Sequence, residues 1–152
     1  MDIQTVLDNA VKASRHESLK TSPQLTLGEL ILKLEPLRQT WTSHDGKETH
    51  DKTVRFDFEY LHPSGLSSWR GSYSELAIEF KEEGNAPALK EFIAQLKEAI
   101  GKTYVGYKGG DFVMGKNTPL WVANYGNSGS TGVLDTKDTD YEVVLITGEC
   151  EY

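Results

Sequence analysis

The sequence predicts an α+β fold: about three helices packed on a mostly antiparallel sheet of about five to six strands. Three observations lead there. Segments with helical periodicity and segments that alternate like strands are only partly interleaved. The links between strand-like segments are short. The run Val143-Val144-Leu145-Ile146 suits an interior strand covered on both faces.

The elements follow in order. Ile3, Val6, Leu7, Ala10 and Val11 recur at three- and four-residue steps, so residues 2–14 read as an amphipathic helix. Residues 14–23 are polar and loop-like. Thr26-Leu27-Gly28-Glu29 has the form of a capping box, and Leu27, Leu30, Ile31 and Leu34 extend a second helix that Pro36 helps to end. Residues 39–52 are hydrophilic and read as a long loop or an irregular hairpin.

Val54, Phe56, Phe58 and Tyr60 alternate with Arg55, Asp57 and Glu59, which predicts a strand with one wet face. His62-Pro63-Ser64-Gly65 reads as a turn, and Leu76, Ile78 and Phe80 mark the next strand. Asn85 is placed to cap a third helix with Pro87 in its first turn and a stripe of Leu89, Phe92, Ile93, Leu96 and Ile100. Gly101 is placed to end it in a left-handed conformation. Short strands are expected near 103–107, 111–114, 119–124 and 131–135, and a last one over 141–147.

The 152 residues fit one domain, 1–152, with no repeat and no linker-like boundary. No window approaches the ~18 apolar residues of a membrane span, and Met1-Asp2-Ile3-Gln4 has neither the basic nor the apolar region of a secretory signal. Sixteen Lys and Arg against 23 Asp and Glu give a formal charge of -7, which argues against a nucleic-acid polymer as partner. Six acids and one lysine lie between Leu134 and Tyr152, a pattern that suits a solvated surface. Cys150 is the only cysteine, so no intramolecular disulfide and no cysteine-rich zinc site can form, and a reducing cytoplasm fits. The glutamates beside it would weaken it as a nucleophile.

Eight of the 14 glycines fall between Gly101 and Gly132, which marks tight turns or backbone close to a ligand. Around them lie the parts of a nucleotide pocket. Arg70 and Lys108 could hold phosphate, and Gly109-Gly110 could turn amides towards an anion. Trp69, Tyr73, Tyr107 and Trp121 offer flat faces for a base, while Asp111 and Asn124 could read polar edges. The plainer alternative makes the aromatic residues core and the glycines turns.

Other patterns carry less. The segment from Gly110 to Asn117 imitates a P-loop, but Asn117 stands where Ser or Thr should bind magnesium, and Phe112-Val113-Met114 suits a strand. His44-Asp45 and His50-Asp51 could serve a metal-dependent phosphohydrolase, or simply a solvated loop. Asp57 and Glu59 fall on one strand face and could form an acid–base pair, or charge pairs. His16 and His62 read as surface residues. The loop 127–132 could close over a ligand or be a hairpin tip.

Val54 to Phe58, then Gly65-Leu66-Ser67-Ser68-Trp69-Arg70-Gly71-Ser72-Tyr73, Gly101 to Tyr104, Gly110-Asp111-Phe112 and Thr118 to Asn124 together resemble a group of small bacteriophage-encoded proteins. The likeness covers about half the chain and carries no mechanism of its own. It implies action in the cytoplasm of an infected bacterium. Small phage proteins that counter host defence include a class resembling a sponge, which binds nucleotide immune signals, such as cyclic ADP-ribose variants or cyclic dinucleotides, without cleaving them. By analogy, the expectation is a nucleotide-sequestering homo-oligomer that needs no cofactor or metal. Two alternatives stay open: a phosphodiesterase using His44, His50 or Asp57 and Glu59, and an acidic inhibitor of a host defence protein.

Overall fold

The capping box forms as its residue types require. The Glu29 amide donates to Thr26 Oγ1 at 3.2 Å, and the Thr26 amide donates to Glu29 Oε1 at 3.0 Å. Helix α1, Leu27–Leu34, follows, and Pro36 lies in the short 3-10 turn Glu35–Leu37 that succeeds it. The computed structural model describes residues 24–59, 61–69, 72–82, 84–106, 109–123 and 130–150. The helix expected over residues 2–14 lies outside them. Among the described residues there are two α-helices, α1 and α2 (Leu89–Ala99), and neither is long and apolar enough to cross a membrane.

Ten strands accompany them. Strands β1 (Thr40–Thr42) and β2 (Thr49–Asp51) form a hairpin, which settles the 39–52 segment in favour of the hairpin reading. Strands β6 (Thr103–Val105) and β7 (Asp111–Val113) form another. The central sheet contains β3 (Thr53–Phe56), β4 (His62–Trp69), β5 (Ser72–Lys81), β8 (Leu120–Val122), β9 (Thr131–Asp138) and β10 (Glu142–Glu149). Its order is β3-β10-β9-β8-β5-β4. The pairs β3–β10 and β5–β8 are parallel and the other three antiparallel, so the sheet is more mixed than expected.

The two outer strands of that order are consecutive in sequence. Only residues 57–61 separate β3 from β4, and the Phe56 amide donates to the Leu61 carbonyl at 2.8 Å. A flat sheet would hold its outer strands about 24 Å apart, five spacings of roughly 4.8 Å. The sheet therefore curls until its edges nearly meet. Strands β8 and β9 share one paired position, Trp121 opposite Gly132. Beyond it, Leu25 bridges the gap by donating to Val133 O at 2.7 Å and accepting from Leu120 N at 3.0 Å.

The core lies on one face of this sheet. Leu27, Leu30 and Leu34 of α1 and Leu89, Phe92 and Leu96 of α2 pack with Val54, Phe56, Leu76, Ile78, Val143 and Leu145. Strand β10 is interior as expected, with Val144 also buried on the opposite face.

Several boundaries differ from the sequence reading. Strand β3 ends at Phe56, so Asp57 and Glu59 lie in the turn, where Glu59 adopts a positive φ of 48°. His62 to Gly65 is strand, not turn. Pro63 is tolerated there because β4 is an outer strand, and the register shifts between Pro63 and Gly65. Helix α2 starts at Leu89, after Ala88, and has no side-chain cap. The Val54 amide donates to Pro87 O and Thr53 pairs with Ala88, which holds residues 87–88 extended along the β3 edge instead of in the helix. Gly101, at φ 81°, follows α2 as expected.

Asp57 ties the turn to β10. Its carboxylate accepts from Thr147 N at 3.0 Å and from Thr147 Oγ1 at 2.6 Å, beside the register shift between Ile146 and Thr147. Replacing Asp57 with Ala removes both bonds. Urea unfolding is expected to show a loss of about 1–2 kcal/mol, with the m-value unchanged.

Candidate functional site

Strand alternation puts Glu75, Ala77 and Glu79 of β5 on the face opposite the main core. Trp69, Ala77, Trp121 and Cys150 make a second buried cluster there. Trp121 lies on β8 and Trp69 on β4, two strands apart with β5 between them. Their rings nonetheless stack, with centroids 4.0 Å apart and planes 8° from parallel. Strands two apart are separated by roughly 9.6 Å, so both rings lean over β5. The methyl of Ala77, directly opposite Trp121 in register, is small enough to permit this.

The pair is 2% and 1% exposed. Each ring takes the face that a base would have needed from the other, so this pair is packing at the end of β4, not an open stacking platform. Trp121 Nε1 donates to Glu75 Oε1 at 2.8 Å, and the Glu75 carboxylate is itself buried. Behind the cluster, a Cβ on Gly132 would come within 2.7 Å of Cys150 Sγ and 2.9 Å of Gln24 Cβ, so this site requires glycine.

The β6–β7 hairpin comes against the end of β4. Ser68 Oγ donates to Val105 O at 3.4 Å, one residue before Trp69. Thus the two stretches that carry the expected nucleotide pocket meet, although 37 residues separate Ser68 from Val105. Tyr104 and Phe112 pack against the main core, and burial and then Glu98 push the Tyr104 hydroxyl above its ordinary pKa. Lys102 Nζ lies 5.2 Å from the Tyr104 ring centre.

Gly109 and Gly110 have φ of 88° and 87°, a left-handed conformation that glycine adopts without a Cβ clash. The Gly109 amide donates to Gly106 O at 2.9 Å, and Gly106 N donates to Gly110 O at 2.8 Å. The Gly109 amide is therefore engaged in the hairpin turn and does not join an anion nest. Asp111 is exposed and opens β7. Arg70, Tyr107, Lys108 and Asn124 lie outside the described residues, and of Tyr73 only the backbone is described.

The remaining motifs have structural roles. Asp45 caps the β1–β2 loop, accepting from Ser43 Oγ and from Lys47 N, which holds its carboxyl below the usual range. His50 packs 4.5 Å from Trp41 and lies 3.2 Å from Glu48, while Asp51 pairs with Lys90 at 3.1 Å. His44 is exposed in the same loop. No group of three or more metal-ligating side chains occurs among the described residues. His62 is buried, not on the surface. Asp111 to Val113 is strand, in keeping with rejection of the P-loop. His16 and residues 127–129 of the 127–132 loop lie outside the described residues, whereas Thr131 and Gly132 belong to β9.

No family model matches the chain, and no curated protein or solved structure is significantly similar to it. Sequence reasoning missed Ser68 and Glu75. Alternation assigns Glu75 to a wet face, yet it is buried there and accepts from the Trp121 indole. The geometry makes Ala77 the spacer of this cluster. Ala77→Leu is expected to push the rings apart, destabilise the fold by about 1–3 kcal/mol, and abolish the exciton couplet of stacked indoles in circular dichroism.

Proposed function

We propose that the protein binds a small nucleotide and sequesters it intact at the junction between the end of β4 and the β6–β7 hairpin. The observation that carries this reading is the contact between Ser68 and Val105, which joins the two stretches bearing Arg70 and Lys108. Arg70 offers a planar fork of donors for phosphate, and Lys108 a mobile charge. Tyr73 and Tyr107 serve as stacking faces, since Trp69 and Trp121 occupy one another. Asp111 and Asn124 read polar edges of the base or ribose.

By analogy with the phage-encoded proteins that the sequence resembles, the proposed ligand class is a host immune signal, namely a cyclic ADP-ribose type or a cyclic dinucleotide. The protein would then act in the cytoplasm of the infected bacterium, as a homo-oligomer whose pockets gain enclosure near subunit contacts. Capture is favoured over phosphodiester cleavage because Asp57, one half of the expected acid–base pair, is bonded twice to Thr147.

Isothermal titration with a panel of signalling nucleotides tests the reading. A dissociation constant below about 10 μM, equivalent to about 7 kcal/mol, is expected for at least one of them. Arg70→Ala and Lys108→Ala should each weaken it by about 10- to 100-fold. Heat denaturation of the complex should release the nucleotide unchanged. The absence of binding across the panel, or release of a cleaved product at substoichiometric protein, would remove the proposal.

A further inference from the structure

A cleft of about 160 Å³ opens where the end of the 3-10 turn, β2 and the first turn of α2 meet. Arg38, Lys52 and Lys90 line it against a single acid, Asp51, with Gln39 and Thr40 between them. The lining cations outnumber the one lining acid, while Asp138 and Glu35 reach Lys52 and Arg38 from outside the cleft.

The three cations are not equivalent. Lys52 is buried and fixed by Asp138 at 2.6 Å, so it forms a rigid part of the wall. Lys90 pairs with Asp51 at 3.1 Å but remains about half exposed. Arg38 is the least committed. Among the described residues its one ion pair, to Glu35, is 3.6 Å long, and Glu35 is held more closely by Lys97. The Lys97 contact is the main cause of the lowered pKa of Glu35. Arg38 therefore keeps donors beyond its Glu35 pair, and it lines the cleft. The first turn of α2 adds its positive dipole end and has no side-chain cap.

We propose that this cleft is a second anion site, taking a single phosphate group, either as the free ion or at the end of a small monoester. Its volume limits the occupant. Pockets for drug-sized molecules run to roughly 300–1,000 Å³, so a whole nucleotide does not fit, whereas one tetrahedral oxyanion does. Arg38 supplies a bidentate fork and Lys90 a point charge that exchanges Asp51 for the ligand. Thr40 and Gln39 supply neutral donors. The site is built from residues other than those of the nucleotide reading and stands without it.

Titration of the full-length protein with inorganic phosphate and, separately, with glycerol phosphate at constant ionic strength tests the proposal. Amide shifts in NMR spectra and isothermal titration provide the readouts. Saturable binding is expected, with shifts centred on Gln39, Thr40 and Lys90. Arg38→Ala and Lys90→Ala, both at half-exposed positions, should each weaken it at least about tenfold, while Lys116→Ala leaves it unchanged. Tighter binding of glycerol phosphate assigns the site to a monoester, and equal or weaker binding assigns it to the free ion. No saturation up to about 10 mM of either compound overturns the proposal, as does equal weakening by Lys116→Ala, which would mark unspecific charge attraction.

Discussion

The short link between β3 and β4 constrains everything else. These are the two outer strands of a six-stranded sheet, yet only residues 57–61 join them, and Phe56 and Leu61 are hydrogen-bonded. The backbone cannot satisfy this link and all five strand pairings in a flat sheet. Curling reconciles them. The curl also explains why Leu25 is wedged between β8 and β9, where the ladder opens after a single paired position. Asp57 holds the link to the register shift in β10, so the closure rests on side-chain as well as backbone bonds.

The curl divides the apolar residues into two unequal groups. One face takes both helices and the larger cluster, with Phe56 and Ile78 fully buried. The other face carries the stacked tryptophans over Ala77, with a buried carboxylate on the indole N–H. A buried polar group needs a partner to offset its desolvation, and the Trp121 indole provides one for Glu75. This packing gives the end of β4 a rigid foundation directly beside Arg70 in sequence. The β6–β7 hairpin meets the same end of the strand. A binding site on rigid elements loses less conformational entropy on capture than one on loops alone.

Local signals were the most legible. Thr26 and Glu29 announced α1, Gly101 marked the end of α2, and the apolar run 143–146 identified the interior strand, because each depends on neighbours within a few residues. Long-range pairing overruled the others. Pro63 looks like a turn residue but sits in an outer strand beside a register shift, where proline is tolerated. Asn85 and Pro87 look like a helix start, but pairing of Thr53 with Ala88 delays the helix. Trp121 and Trp69 looked like ligand platforms because nothing local reveals that β5 brings them together over a small residue. The cleft of Arg38, Lys52 and Lys90 was invisible for the same reason, since three separate segments form it.

The proposed function depends on the end of β4 lying against the β6–β7 hairpin. Nuclear Overhauser spectroscopy on isotopically labelled, ligand-free protein tests it most directly. Cross-peaks are expected between Ser68 and Val105, together with those between Phe56 and Leu61 and between Val54 and Val143. A spectrum that contains the strand pairings but lacks any contact between Ser68 and the hairpin would contradict this arrangement, because the two halves of the proposed site would then lie apart.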